Sequence, residues 1–584
     1  MHASSEDEDM PVMYDDEPRN PREVLKHKES ADILHAGALE MKQMRDRGVA
    51  VEPHPDELDR IKREHKILRA KLVYKRKYMA VTMPDGSVRE KFVKWKARLA
   101  IVGTEETEGV DCVYNTFSPT IGFTAIRVLI SLMCDPKYDV GSYDLTCAFL
   151  STDLKGRAVY CQFPSDAGED ANKIVRLVKE VYGLKSSGIS FIKQLRETIL
   201  SFEYRGRRFQ NLKIDQCIYV FEDEDGSKMI LAHYVDDIIC GTTNIELRER
   251  FFKHLRQSWE IEDTGQLDRF LGINFRRSDD KKEWAASAAT YIDRIVKRFD
   301  LNDTVVVKVP MDPGFTLTTE DFEEVPSEEM KSEYRSLIGS LGYCAITVRF
   351  DIAYAVSVLS RHLVKPCKKV VLAAKRVIKY LRCTRDMAII WSAPSDSTVN
   401  WKLTGSVDAS FANCQMSRRS HGGWINFLNR GPVSWKSGLQ PIVTLSSCES
   451  EYVALSMEVC EVKYLRMLLR ELGCPQEEPT LIWEDNKACI LLAENESSSA
   501  GRCKHIDTKF RFVAEAISDG VVKIRYTPSS YNYSDILTKP LTEVMFQRMI
   551  EMCLGSKDSQ IAERGHQVEG FLCTGYDSYL VYIY

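Results

Sequence analysis

Asp236 and Asp237 follow Tyr234-Val235 and sit between two apolar segments, Met229–Ala232 and Ile238–Cys240. The pattern is strand, acidic tip, strand. A turn needs polar residues, so a plain hairpin tip is one reading of the pair. Two adjacent carboxylates at a tight turn repel each other unless a cation sits between them, and a metal site is the other reading. Asp144 ends an alternating strand, Tyr138 to Asp144, and interrupts an otherwise apolar stretch running to Phe149-Leu150. A lone buried Asp is costly unless it is paired or holds a metal. Mg2+ takes one or two such carboxylates together with substrate phosphates. These residue types in this pattern point to metal-assisted phosphate chemistry.

A second set lies towards the C-terminus. Asp408 follows Gly405-Ser406-Val407. Glu449 lies in Ser446-Ser447-Cys448-Glu449-Ser450-Glu451-Tyr452, Asp485 in Trp483-Glu484-Asp485-Asn486, and Asp535 in Tyr533-Ser534-Asp535-Ile536. Each acid stands in an apolar or strand-like setting. Helix capping is the alternative for two of them: Ser446 or Ser447 with a following Glu fits a capping box. Asp485 fits the start of a helix near Lys487.

Elements must hold these groups in place. Residues 1–20 carry seven acids against Arg19 and read as a disordered acidic tip. Residues 21–70 read as a helical tether. Leu72 to Val102 alternates around Pro84-Asp85-Gly86, a β-hairpin signal. Residues 71–250 mix helix and strand, with an apolar helix at Thr124–Cys134. The next block, 251–395, reads as helical apart from Phe270–Phe275, with an acidic linker at 311–330. A second α/β pattern occupies 396–545, and a tail follows at 546–584. The composition, 44% hydrophobic and 28% charged over 584 residues, is that of a multidomain globular chain.

The net charge of −5 speaks against a polyanion ligand, but its distribution does not. Residues 60–98 hold fourteen Lys/Arg against Glu64, Asp85 and Glu90. Such a block suits phosphate backbones, whose contacts release counterions. The seventeen cysteines show no CxxC spacing, which excludes zinc ribbons and predicts reduced thiols packed as small hydrophobes. No apolar run reaches the length of a membrane span, and the N-terminus has no signal-peptide core.

The ordered motifs Lys96-Ala97-Arg98-Leu99, Asp144…Ala148-Phe149-Leu150, Tyr182-Gly183-Leu184-Lys185, Tyr234-Val235-Asp236-Asp237 and Leu271-Gly272-Ile273 resemble the reverse transcriptase of copia-type LTR retrotransposons. The resemblance covers about residues 70–390. It implies an α+β multidomain chain with a fingers–palm–thumb polymerase, its palm an antiparallel sheet. Fingers and palm would take 71–250 and thumb and connection 251–395. Asp144 and Asp236 would ligate two Mg2+ ions, Mn2+ being the alternative, with Asp237 close by. Arg98 would hold the incoming dNTP triphosphate, assisted by Lys94 or Lys91. Phe149 would stack under the sugar and exclude a 2′-hydroxyl. Lys185 falls in the nucleotide-binding motif. After it, relatives continue Gln-Ala-Pro-Arg and an aromatic pair, whereas this chain has Ser186-Ser187-Gly188-Ile189-Ser190-Phe191.

The C-terminal acids, with Arg418-Arg419-Ser420, Ser434-Trp435-Lys436-Ser437 and Lys504-His505-Ile506-Asp507, resemble the α/β RNase H domain of the same elements. That implies Asp408, Glu449, Asp485 and Asp535 as ligands of a second two-metal site. His505 would orient a loop or serve the structure. The implied partners are an RNA template, a DNA primer, RNA–DNA hybrid and dNTPs, with no membrane and a homodimer as an option. The implied location is a cytoplasmic virus-like particle with access to the nucleus. Asp263-Thr264-Gly265 spells an aspartic-protease triplet but lacks the apolar flanks that would hold its carboxylate. Integrase-type His/Cys pairs are missing, so the chain reads as one part of a longer polyprotein. The rival reading is a catalytically impaired retroelement remnant that only binds nucleic acid.

Overall fold

The computed structural model describes residues 17–82, 88–107, 116–302, 305–393, 401–428, 430–494, 507–551 and 554–555. The tip 1–16, the hairpin apex Pro84-Asp85-Gly86, His505 and most of the tail therefore lie outside the described residues. The chain forms two compact units: residues 1–121 with 139–266, and residues 122–138 with 267–584.

In the first unit, helix α1 (Ser30–Asp46) precedes a five-stranded sheet. The sheet's strands are β1 (Ala50–Val51), β2 (Ile67–Thr82), β3 (Val88–Ile101), β5 (Val159–Gln162) and β6 (Ile174–Leu177), in the order β1-β6-β5-β2-β3. The hairpin expected from 72 to 102 is β2–β3, paired from Ala70↔Ile101 to Thr82↔Val88 with a bulge at Lys77/Tyr78. The segment expected to be a helical tether is largely helical and packs on this sheet. Val24, Ile33, Met41, Met44 and Val49 are buried in one cluster with Leu72, Tyr74, Trp95 and Leu99. Burying those five side chains is worth several times the roughly 1.5–3 kcal/mol of each, which a free tether would forgo.

A second sheet carries the first acids. It contains β4 (Asp139–Leu145), β7 (Gln210–Asn211), β8 (Ile218–Glu222), β9 (Lys228–Tyr234), β10 (Asp237–Thr242) and β11 (Ile261–Gln266), in the order β11-β4-β10-β9-β8-β7. Every pairing in it is antiparallel. Helix α2 (Ser187–Ser201) contributes Phe191, Leu195 and Ile199 to the core beneath it, with Tyr143, Leu231, Phe251 and Trp259.

The second unit begins with the helix Phe123–Leu132, as the apolar run predicted. The expectation of helix across 246–300, apart from Phe270–Phe275, is corrected for the rest of 261–287. Besides β11, this stretch forms β12 (Arg269–Phe270), β13 (Ile273–Arg277) and β14 (Glu283–Ser287). The last three join β15 (Ala388–Ser392) in one sheet. The reason is a period of two: Ile273 and Phe275, then Trp284 and Ala286, are the buried members of their strands.

A last sheet combines β16 (Leu403–Ser410), β17 (His421–Leu428), β18 (Gly431–Leu439), β19 (Thr480–Glu484) and β20 (Val522–Tyr526), in the order β18-β17-β16-β19-β20. The first three run antiparallel, while β19 and β20 run parallel to β16. The 25-residue helix α3 (Ser447–Glu471) packs on this sheet. All described cysteines are free thiols, and seven are buried. Among the described residues no helix is long and apolar enough to cross a membrane.

Candidate active sites

Asp144 sits one residue before the end of β4, and Asp237 opens β10. The strands pair so that Asp237 lies directly opposite Asp144, and on the other side Glu262 of β11 lies opposite it too. Tyr234 pairs with Asp237, leaving Val235 and Asp236 as a two-residue turn. Val235 has φ 54°, a left-handed conformation that a β-branched side chain rarely adopts. The Asp236 carbonyl accepts a hydrogen bond from the Leu145 amide at 2.9 Å, tying the turn to the end of the Asp144 strand. The sequence therefore reads as a hairpin tip, and the sheet makes it a row of acids.

These acids cannot all ionise cheaply. Burial and the neighbouring Asp236 carboxylate raise Asp144, which Lys96 and Lys77 partly offset. Burial, Asp236 and Asp144 together lift Asp237 to about 6. A divalent cation removes that repulsion, so the donor set fits a hard metal ion.

The acids open onto a cleft of about 500 Å³. Lys77, Lys94, Lys96 and Arg98 line it from β2 and β3, and Asp144, Thr146, Cys147 and Asp236 line it from the second sheet. The Arg98 guanidinium lies 4.6 Å from the centroid of the Tyr182 ring. Burial, Arg98 and Lys77 hold Lys96 below the ordinary lysine range, against the pull of Asp144. Lys96 opens the Lys96-Ala97-Arg98-Leu99 motif but carries no nucleotide role in the sequence reading; the alternation of β3 puts it on the same face as Lys94 and Arg98.

Two residues that the resemblance implies as nucleotide contacts are not among the groups lining this cleft. Phe149 is half-buried and packs edge-on against Tyr182 and Phe191, at 4.9 and 5.7 Å between centroids; Tyr182 and Trp95 are the rings that line the cleft. The Lys185 amine donates to the Glu106 carbonyl at 2.9 Å and is not among the cleft-lining groups. Beyond it, the unusual Ser186 and Ser187 both donate to the buried Glu180 carboxylate, at 2.9 and 3.0 Å to Oε2. Asp263-Thr264-Gly265 is a bulged part of β11, with Gly265 at φ 84°.

In the second unit, Asp408 of β16, Glu451 of α3 and Asp485 after β19 converge. One carboxylate oxygen of each lies within 4.8 Å of the others. Glu449, which the resemblance implies as a ligand, is not in this group. Ser446 caps α3 by accepting from the Glu449 amide at 3.2 Å, and the Glu449 carboxylate turns back to the Leu445 amide. The capping box consumes Glu449. Two residues on, about 200° around the helix, Glu451 faces the other way. The signal was present, since Glu451 is the second acid of the same motif.

Asp485 escapes the capping role considered for it, because Asn486 accepts the Cys489 amide at 3.1 Å instead. Asp535, on the short turn Tyr533–Leu537, pairs with Lys539 at 2.7 Å. Lys539 also reaches Asp408 at 3.7 Å, and Thr538 donates to that carboxylate. Burial and the Asp408 charge raise Asp535 to about 7. Burial and the Glu484 charge raise Glu451 far above the carboxylate range, and burial with the Asp485 and Asp408 charges does the same to Glu484. Glu451 Oε2 and Glu484 Oε2 are both buried without a hydrogen-bond partner among the described residues.

Comparison with known proteins decides what carries this geometry. Residues 58–313 match the family described as reverse transcriptase (RNA-dependent DNA polymerase). The chain is 29% identical over 548 residues to the retrovirus-related Pol polyprotein from transposon TNT 1-94 of Nicotiana tabacum, covering 93% of this chain and 39% of that protein. The chain is similar to the reverse transcriptases of copia-type retrotransposons. It is also similar to the Pol polyprotein from transposon RE2 of Arabidopsis thaliana, at 30% identity over 79% of this chain and 30% of that protein. The transposon TyH3 Gag-Pol polyprotein of Saccharomyces cerevisiae is 25% identical over 73% of this chain and 24% of its own length. The chain thus spans well under half of each of these relatives.

Proposed function

We propose that the chain is an RNA-directed DNA polymerase with an attached ribonuclease H, acting through two metal-dependent carboxylate sites. The first activity rests on the family match and on one observation above all. Asp144 and Asp237 oppose each other across antiparallel strands, with Asp236 at the turn, beside a cleft lined by five cations. In this reading the sheet carrying Asp144 is the palm and β2–β3 belongs to the fingers.

Bound Mg2+, or Mn2+ in its place, supplies Lewis-acid activation of an attacking oxygen and neutralises the leaving one. The residues of the chain do the rest. Asp144 and Asp236 hold the ions, with Asp237 adding negative charge beside them. Lys94, Lys96 and Arg98 take up the triphosphate of a dNTP, and Tyr182, backed by Phe149, supplies the wall against the sugar. The RNA template and DNA primer are the polyanions that the basic β2–β3 ribbon attracts.

The ribonuclease H reading is supported by the convergence of Asp408, Glu451 and Asp485, with Asp535 beside them. Its substrate is the RNA strand of an RNA–DNA hybrid, set apart by 2′-hydroxyls and groove shape. A virus-like particle is the setting that the retroelement relatives suggest. The decisive test extends oligo(dT) on poly(rA) with dTTP and Mg2+. No extension by the unmodified chain overturns the polymerase reading and favours a nucleic-acid-binding remnant. A labelled hybrid that stays intact overturns the hydrolase.

A further inference from the structure

Helix α1 lies ahead of residues 58–313, the part that matches the reverse transcriptase family. Even so, it walls the cleft. Leu39, Glu40, Gln43 and Asp46 line the same cavity as Asp144 and Arg98. The helix meets the β2–β3 ribbon closely at Gly37. A β-carbon there would stand 2.9 Å from the Tyr74 hydroxyl oxygen and 3.4 Å from Leu72 Cδ1, so a larger residue would push the helix away.

One turn further on, Glu40 is only 7% exposed, and its Oε1 accepts a hydrogen bond from the Leu99 amide at 2.9 Å. β3 is the outermost strand of its sheet, so this amide faces no strand partner. A buried amide without an acceptor is costly, and Glu40 supplies the acceptor. The amide two residues along, Ile101, donates to the Tyr182 carbonyl at 2.7 Å. β3 is thereby held along its outer edge at two points, and Lys96 and Arg98 precede them on the same strand. Both cations also act electrostatically on the Glu40 carboxyl, offsetting part of the upward push of burial.

We propose that Glu40 is a positioning residue for nucleotide binding: by holding the Leu99 amide it fixes the outer strand so that Lys96 and Arg98 face Asp144 and receive a nucleotide triphosphate. The inference rests on the polymerase reading above. Glu40 acts through β3 and does not touch the substrate.

The test is calorimetric titration of dTTP into the full chain bound to poly(rA)·oligo(dT), with Ca2+ replacing Mg2+, alongside KM and kcat for extension in Mg2+. Glu40→Leu has no acceptor. It is expected to raise the dTTP Kd and KM about tenfold, the scale of one lost hydrogen bond, with kcat and primer–template affinity within about twofold of the parent. Glu40→Gln keeps an oxygen at the same reach and is expected to stay within about twofold throughout. Glu40→Asp, one methylene shorter, is expected to fall between them and keeps the proposal testable if the Leu variant does not fold. Unchanged dTTP affinity in the Leu or Asp variant overturns the proposal. So does an equal loss in the Gln variant, which would make the charge rather than the amide bond the operative feature. A parent chain that binds dTTP but does not extend the primer fails the polymerase reading alone, and the Kd comparison still decides the role of Glu40. A parent chain that binds no dTTP overturns both.

Discussion

Asp237 faces Asp144 across two antiparallel strands, and the Asp144 carboxylate makes Asp237 harder to ionise. Like charges directly opposed on a sheet destabilise it, so these residues serve something other than stability. Removing one should expose the trade. In EDTA, Asp237→Asn is expected to melt above the parent chain. In Mg2+ it should lose most of the metal-induced rise, and Asp144→Asn should lose primer extension by at least about a hundredfold. Melting curves with and without Mg2+ check the first part, and an Asp237→Asn variant that melts below the parent in EDTA refutes it.

Glu449 and Glu451 separate a cap from a candidate ligand. Glu451→Gln is expected to abolish cleavage of a labelled RNA–DNA hybrid. Glu449→Gln should still cleave, because its work is at the helix end. Glu449→Ala should cost about 1 kcal/mol of stability, the usual value of a cap. The opposite pattern of cleavage would return Glu449 to the site.

The raised acids make metal-free stability depend on pH in a definite direction. Asp237 at about 6 and Asp535 at about 7 stand above the unfolded value of 3.8. Each binds a proton more tightly when folded, so its contribution is fully present below about pH 4 and is lost as pH rises through 6 to 7. Considering these groups, the midpoint in EDTA should fall between pH 5 and pH 8. Mg2+ should raise it more at pH 8 than at pH 5, since protons and metal compete for the same oxygens. Calorimetry at the two pH values with and without Mg2+ reads both effects, and a larger metal shift at pH 5 contradicts them.

Arg349 and Asp351 are a fully buried pair at 2.6 Å, with the Tyr380 hydroxyl donating to Asp351 at 2.7 Å. Arg349→Met strands the carboxylate and should cost about 3–5 kcal/mol. Arg349→Met combined with Asp351→Leu should recover much of that loss, because the uncompensated charge is gone. Denaturant titration of the single and double variants decides between charge burial and simple packing as the cause.

The sequence alone determined whatever depends on local pattern. Alternation around 72–102 specified the β2–β3 ribbon, and an acidic pair between apolar runs specified the Asp236-Asp237 turn. A polar tip between two strands has few other solutions. The same local logic named Asp408, Asp485 and Asp535, and from the Ser446–Tyr452 motif it named Glu449. The structure gathers Glu451 instead, because the choice depends on which face of α3 meets the sheet. Periodicity also missed the strands of 261–287, whose pairing partners are distant in the chain. Tertiary structure alone decided that Glu262 joins the acidic row, that Tyr182 rather than Phe149 lines the cleft, and that α1 forms a wall of it. Each of these follows from strand register and close packing between segments 50 to 100 or more residues apart. No local window of sequence contains both partners of such a contact, and only the folded chain brings them within reach.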